Sequence, residues 1–201
     1  MFVQIVQARV ADAGAVRAAH DRWFAELAAG APGWLGTTAG VSGDGDFIRL
    51  ARFASEEAAR RIDDRPEQAR WWARTGELFT GEVSVTESST AYLDRGGASS
   101  EAGFVQVIQR RVRDVPRARQ ILKEISPLVA EVRPEDIGTL IVEHDGDRFT
   151  VAVYFTSEQE ARGTERQPAP ALKALREEQN ALGVERPRFY DLRQPWHYSP
   201  R

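Results

Sequence analysis

The sequence predicts an α+β protein: two tandem ferredoxin-like βαββαβ repeats whose antiparallel sheets pack into one pseudo-twofold α/β barrel. Three observations predict it. Shifted by 102 positions (104 minus 2), the chain aligns with itself over long stretches without a gap, "FVQIVQARV" falling on "FVQVIQRRV". Each copy then runs through the same order of strand-like and helix-like apolar spacings. The strands are apolar on both faces, with Val3 and Ile5 on one and Phe2 and Val6 on the other. A sheet that carries helices on one face only must bury its second face elsewhere, and the other sheet is the simplest cover.

The elements follow in order. Alternation of apolar and polar residues predicts strands over 2–10 and 104–112. An amphipathic helix over about 13–29 carries Val16, His20, Trp23, Phe24 and Leu27 on one face; its twin over about 116–132 carries Ile121, Leu122, Ile125, Leu128 and Val129. Strands over about 35–42 and 46–53 are joined by "GDGD", and strands over 137–143 and 148–155 by "DGD". Gly and Asp accept positive φ, so these are hairpin turns. Ser55 and Ser157 are N-caps followed by first-turn acids, which suit the helix dipole. Pro66 and Pro168 suit the first turn of a further helix. A last strand follows Gly81 and Gly183. The repeats therefore span 1–88 and 103–195, with a polar, Gly- and Ser-rich linker at 89–102 and a tail at 196–201. The closing "RFYDLRQPWHYSPR" is aromatic-rich and has no counterpart in the first half, so it is expected to dock on the body and help close a first-half pocket.

Composition excludes several classes. A net charge of −3 with dispersed basic residues predicts no nucleic-acid partner and no membrane surface. The absence of cysteine removes disulfides and thiolate chemistry together. With no apolar run near the ~20 residues of a membrane span and no secretory start, the expected location is cytoplasmic.

The two "FVQ" strands, "GTTAGVSGDGDFIRLARFASEEAAR" and their second copies resemble the dimeric α/β-barrel superfamily, in its antibiotic-biosynthesis-monooxygenase-like branch, over both halves of the chain. Members are usually homodimers of one unit; this chain looks like that dimer fused, and a further homodimer is left open. The resemblance implies a pocket between sheet and helices within a unit, a small aromatic or polyketide-like ligand, and cofactor-independent monooxygenase chemistry. Such enzymes hold an oxidisable aromatic near oxygen with Asn, Trp and a basic or Tyr residue. The one asparagine here, Asn180, matches none of these positions. Cyclase-like and isomerase reactions therefore stand beside oxygenation, and a non-catalytic ligand-binding or structural barrel is the alternative. No cofactor is implied for oxygenation. A haem held by His20 or His197 is a third reading.

The duplication is an internal control, because corresponding positions share burial. His20 is the twin of Leu122, Trp23 of Ile125, Arg49 of Val151, and Arg52 of Tyr154. A buried charge needs a partner or a wet cavity. Either these groups are satisfied core residues or the first half holds a pocket. In the pocket reading His20 is the acid–base group, because a pKa near 6.5 is easily tuned about neutrality. Arg49 and Arg52 steady an enolate or phenolate oxygen, and Trp23, Trp34 and Trp72 form the walls. Gln4 and Gln7 recur at 106 and 109, which favours a structural hydrogen bond over ligand contact for Gln4. His144, beside the "DGD" turn, is expected at the surface. Three histidines without paired spacing predict no metal site.

Overall fold

A computed structural model describes residues 1–166 and 169–200. Pro168, expected in a first helical turn, lies outside the described residues. The chain divides into two compact units, Met1–Ala91 with the chain's end from Gln194, and Tyr92–Arg193.

The first unit runs β1 (Phe2–Val10), α1 (Ala13–Glu26), β2 (Trp34–Val41), β3 (Asp46–Phe53), α2 (Glu56–Asp63), α3 (Pro66–Gly76) and β4 (Phe79–Ser88). Next comes β5 (Thr90–Asp94), inside the segment read as linker. The second repeat runs β6 (Phe104–Arg111), α4 (Val115–Val132), β7 (Asp136–His144), β8 (Arg148–Phe155), α5 (Glu158–Arg166), α6 (Pro170–Ala181) and β9 (Arg188–Leu192). The tail forms β10 (Trp196–Tyr198). The first sheet is ordered β10-β2-β3-β1-β4 and the second β5-β7-β8-β6-β9. The segments read as linker and tail thus each supply an edge strand, because an open sheet edge leaves a row of backbone donors and acceptors that an added strand satisfies.

Local chemistry agrees with the repeat. Asp12 and Asp114 both cap, accepting from the amides of Ala15 and Arg117 at 3.0 and 2.9 Å. Ser55 and Ser157 accept from Ala58 and Glu160 at 3.1 and 3.2 Å. The first helix is shorter than its periodicity suggests: α1 ends at Glu26, and a single 3-10 turn covers Ala28–Gly30. Gly81 does not precede its strand. It lies within β4 at φ 79, where the β1–β4 register shifts by a bulge.

Gly36 and Gly138 mark equivalent β2 and β7 bulges. A Cβ on Gly36, which has φ 130, would lie 2.8 Å from the Tyr198 carbonyl. One on Gly138 would lie 2.0 Å from the Gly97 carbonyl. In each unit glycine permits a close backbone approach that no side chain allows.

Both faces of β1 are buried: Phe2 and Val6 join the core beneath the helices, while Val3 and Ile5 on the opposite face are equally inaccessible. No helix among the described residues is long and apolar enough to cross a membrane.

Candidate functional site

The sequence-predicted residues converge in the first unit, and they form packed core. His20, Arg49, Arg52, Trp23, Trp34 and Gln4 are all buried, as the comparison of twins requires. Trp72 is partly buried against the same cluster. His20, on α1, has ring centroids of Trp71, Phe47 and Trp196 at 5.2, 5.5 and 5.8 Å. Tyr198 stacks at 6.5 Å and donates its hydroxyl to Asp21 at 2.7 Å. Burial first, and that hydrogen bond second, push the Tyr198 phenol pKa up. The expected docking of the tail therefore takes the form of β10 closing over His20 with two rings.

The tryptophans are satisfied as core residues. Trp23 donates to Gln68 Oε1 at 2.6 Å, Trp34 to Thr37 Oγ1 at 3.0 Å, and Trp71 to the Ala19 carbonyl at 2.9 Å. Trp23 meets Trp34 edge-on at 5.0 Å, and Trp71 meets Trp72 at 4.6 Å. Such edge contacts are the preferred packing of aromatic rings.

His20 is poorly suited to acid–base work at neutral pH. Its Nδ1 lies 2.9 Å from the Val16 carbonyl, which can only accept, so Nδ1 carries the proton. Its Nε2 is buried without a partner. Burial first, then the Arg49 charge, lower its pKa to about 4. Arg49 is buried beneath the Trp72 ring at 5.4 Å, and burial lowers its pKa to about 10 against the partial opposition of Asp63. Arg49 and Arg52 are three residues apart on one strand and point to opposite faces, so they cannot grip one anion together.

Gln4 donates to Asp63 at 2.7 Å and to Glu87 on the neighbouring strand at 3.0 Å. Its twin Gln106 donates to Asp191, also on the neighbouring strand, at 3.0 Å. Arg60 and its twin Arg162 clasp the same two carboxylates, Glu87 and Asp191. This is the shared hydrogen-bonding frame that the recurrence of the glutamines suggests.

A cavity lies in the second unit. It measures about 590 Å³ and sits between the helix-bearing face of the second sheet and α4, α5 and α6. Its apolar wall includes Leu122, Ile125, Val129, Val151, Val153 and Phe155. The volume falls within the roughly 300–1,000 Å³ of small-molecule sites. The buried His20 and Arg49 and the tryptophans beside them favour a first-half pocket in the sequence, whereas in the structure those tryptophans are packed as core. Trp23, Phe24, Trp34 and Leu78 fill the first unit's core, whereas their twins Ile125, Ser126, Asp136 and Asn180 border the cavity. Smaller or polar side chains at the same backbone positions leave space. The signal was present in the repeat, but it had to be read as missing volume.

None of the cavity's polar groups is among the sequence-predicted site residues, and only Gln106 and Asn180 draw notice in the sequence. Asp136 bonds Arg95 at 2.6 Å and is almost fully buried. Burial raises its pKa, and the Arg95 charge only partly offsets that. Arg95 also donates to Asp94 and Thr139, while its Nε is buried without a partner. Arg133 is paired with Glu135 at 2.9 Å, and Arg162 with Glu165 at 3.0 Å. Asn180, the chain's one asparagine, lines the cavity as well.

His144 is not at the surface as expected. Its Nε2 lies 2.9 Å from Thr150 Oγ1, and its side chain is 7% exposed, because it folds onto the sheet beside its turn. Among the described residues no group of three or more His, Asp or Glu is arranged to hold a metal. His20 does not fit a haem ligand, because it is encased by rings; His197 is half-buried on β10, and no histidine lines the second-unit cavity.

No family model matches the sequence, and no curated protein matches it. Solved structures do. A candidate monooxygenase of Lactobacillus acidophilus NCFM superposes with a TM-score of 0.71 at 12% identity, covering 98% of each chain. A candidate monooxygenase of Fusobacterium nucleatum superposes at 0.78 and 10% identity, over 98% of this chain and 94% of that one. An anthrone oxidase-like protein superposes at 0.63 and 13% identity, over 99% and 94%. Such identities establish a shared fold across the whole chain and leave the chemistry to the residues.

Proposed function

We propose that this chain, which has the dimeric α/β-barrel fold as a tandem fusion of two ferredoxin-like units, is a monooxygenase-like small-molecule-binding protein whose working pocket is the second-unit cavity. The observation that carries this reading is the 590 Å³ space left where the first unit is filled with aromatic rings. Its aliphatic wall and Phe155 suit a flat, largely apolar molecule of aromatic or polyketide type. In this reading His20, Arg49, Arg52, Trp23, Trp34, Trp72 and Gln4 are the packed frame of a first unit that serves as scaffold.

The reaction we propose is cofactor-free oxygenation of an activated methylene or phenol. Asp136, held at the wall with a raised pKa, accepts the proton that leaves the substrate carbon. Arg95 steadies the enolate or phenolate oxygen that results. In the methylene case the substrate CH₂ becomes C=O while dioxygen supplies that oxygen and leaves its second atom as water, so no external reductant is needed.

The test uses the full chain with anthrone and with a naphthoquinol under oxygen, without flavin or metal. Oxygen uptake should appear and should fall sharply in Asp136→Asn and in Ile125→Trp, which rebuilds the first unit's filled core. Binding without turnover leaves a ligand-binding barrel. Turnover that survives Ile125→Trp rejects the second-unit pocket.

A further inference from the structure

The cavity's charges divide unevenly. Five arginines line it: Arg95, Arg110, Arg133, Arg162 and Arg176. Three of them are engaged by carboxylates: Arg95 by Asp94 and Asp136, Arg133 by Glu135, and Arg162 by Glu165 and Asp191. Among the described residues Arg110 reaches only neutral acceptors at the end of α6, the Gln179 carbonyl at 3.4 Å and Asn180 Oδ1 at 3.5 Å. Arg176 makes no hydrogen bond or ion pair among the described residues.

Helical spacing gathers these groups. Arg176, Gln179 and Asn180 stand three and four residues apart on α6, so they share the face that borders the cavity. Arg110 meets them from β6. Comparison of the repeats shows that the fold does not demand a cation at the position of Arg110, and that at the position of Arg176 the first repeat turns the same residue type to the surface. The twin of Arg110 is the buried Ala8, and the twin of Arg176 is the surface residue Arg74.

We propose that this end of the cavity is an anion subsite, and that the ligand is a flat organic acid whose ionised group is held by Arg110 and Arg176 with Asn180 beside them. The proposal rests on the reading of the cavity as a small-molecule site and adds the substrate class to it. Guanidinium forks bind carboxylate and similar oxyanions through paired, charge-assisted hydrogen bonds. Partial burial without a carboxylate in direct contact is unfavourable, and a ligand anion relieves it. Consistent with this, burial lowers the pKa of both groups, and for Arg176 the neighbouring Arg133 charge adds to the effect while the charges of Glu165, Asp136 and Glu135 only partly oppose it.

Two environment-sensitive probes with the same aromatic skeleton test it on the full chain: 8-anilinonaphthalene-1-sulfonate, which is anionic, and N-phenyl-1-naphthylamine, which is neutral. The anionic probe should bind at least about tenfold more tightly. Arg110→Gln and Arg176→Gln, singly and together, should weaken it by about tenfold or more while moving the neutral probe by less than about twofold. Ile125→Trp should abolish both. If both probes bind equally and both are lost in Ile125→Trp, the anion subsite is wrong and the cavity stands. If neither binds, or binding survives Ile125→Trp, the cavity reading fails and the subsite with it. The wild-type comparison of probes needs no variant to fold.

Discussion

Trp23 and Trp34 meet edge to face with ring centroids 5.0 Å apart, and the residues 102 positions on, Ile125 and Asp136, both border the second-unit cavity. The same backbone positions thus close one unit and open the other. The caps, the β2 and β7 bulges and the β1–β3, β2–β3, β6–β8 and β7–β8 registers of the two repeats agree, so side-chain volume at these positions makes the difference.

Trp23→Ala should therefore cost about 3–5 kcal/mol, the usual range for truncating a buried large aromatic. Part of the loss comes from Gln68, whose Oε1 accepts the indole N–H at 2.6 Å and would be left buried. Trp23→Ile should cost less and should create a first-unit cavity that takes up N-phenyl-1-naphthylamine. Urea unfolding and probe titration check both; an unchanged unfolding midpoint in Trp23→Ala would contradict the packed-core account.

His20 makes stability depend on pH. Its folded pKa is about 4 and its unfolded value about 6.5. Between these values the unfolded chain binds the extra proton, so stability rises with pH across that window. The contribution of neutral His20 is complete above about pH 6.5 and drains away by about 3 kcal/mol as pH falls towards 4. His20→Leu, which installs the second repeat's residue, should flatten this part of the profile. Unfolding midpoints from neutral to acid pH measure it, and an unchanged slope in the variant would show that His20 is not the group.

Gly36→Ala should unseat β10. The new Cβ would lie 2.8 Å from the Tyr198 carbonyl on a residue at φ 130, where L side chains are strained. A loss of about 2 kcal/mol or more is expected, with red-shifted Trp196 emission and faster proteolysis of the tail. Gly138→Ala, at 2.0 Å from the Gly97 carbonyl, should be worse.

Ending the chain after Gln194 removes Trp196 and Tyr198 from the His20 cage. Solvent then reaches the imidazole, and its pKa should climb from about 4 towards the ordinary value. Histidine C–H shifts followed by NMR against pH report this directly. Tyr198→Phe, which deletes only the hydroxyl bonded to Asp21, should cost about 1 kcal/mol and leave the His20 pKa in place.

Much of the architecture was legible in the residues. "FVQIVQARV" and its copy, the Gly–Asp turns and the Ser and Asp caps are local signals whose periodicity and backbone chemistry act within a few residues of themselves. The repeat even carried the burial of His20 and Arg49, because Leu122 and Val151 reported the environment of their twins. Two kinds of fact were beyond that reach. Residues 90–94 and 196–198 became edge strands because open sheet edges were available, and edge pairing depends on the partner strand more than on the strand's own composition. Which half is filled was decided by volume: three rings and a leucine, Trp23, Phe24, Trp34 and Leu78, fill a space that Ile125, Ser126, Asp136 and Asn180 leave open. Whether an indole lines a pocket or plugs one is a property of the neighbours that meet it, and those neighbours come from α1, α3, β2 and β10, segments brought together only by the folded chain.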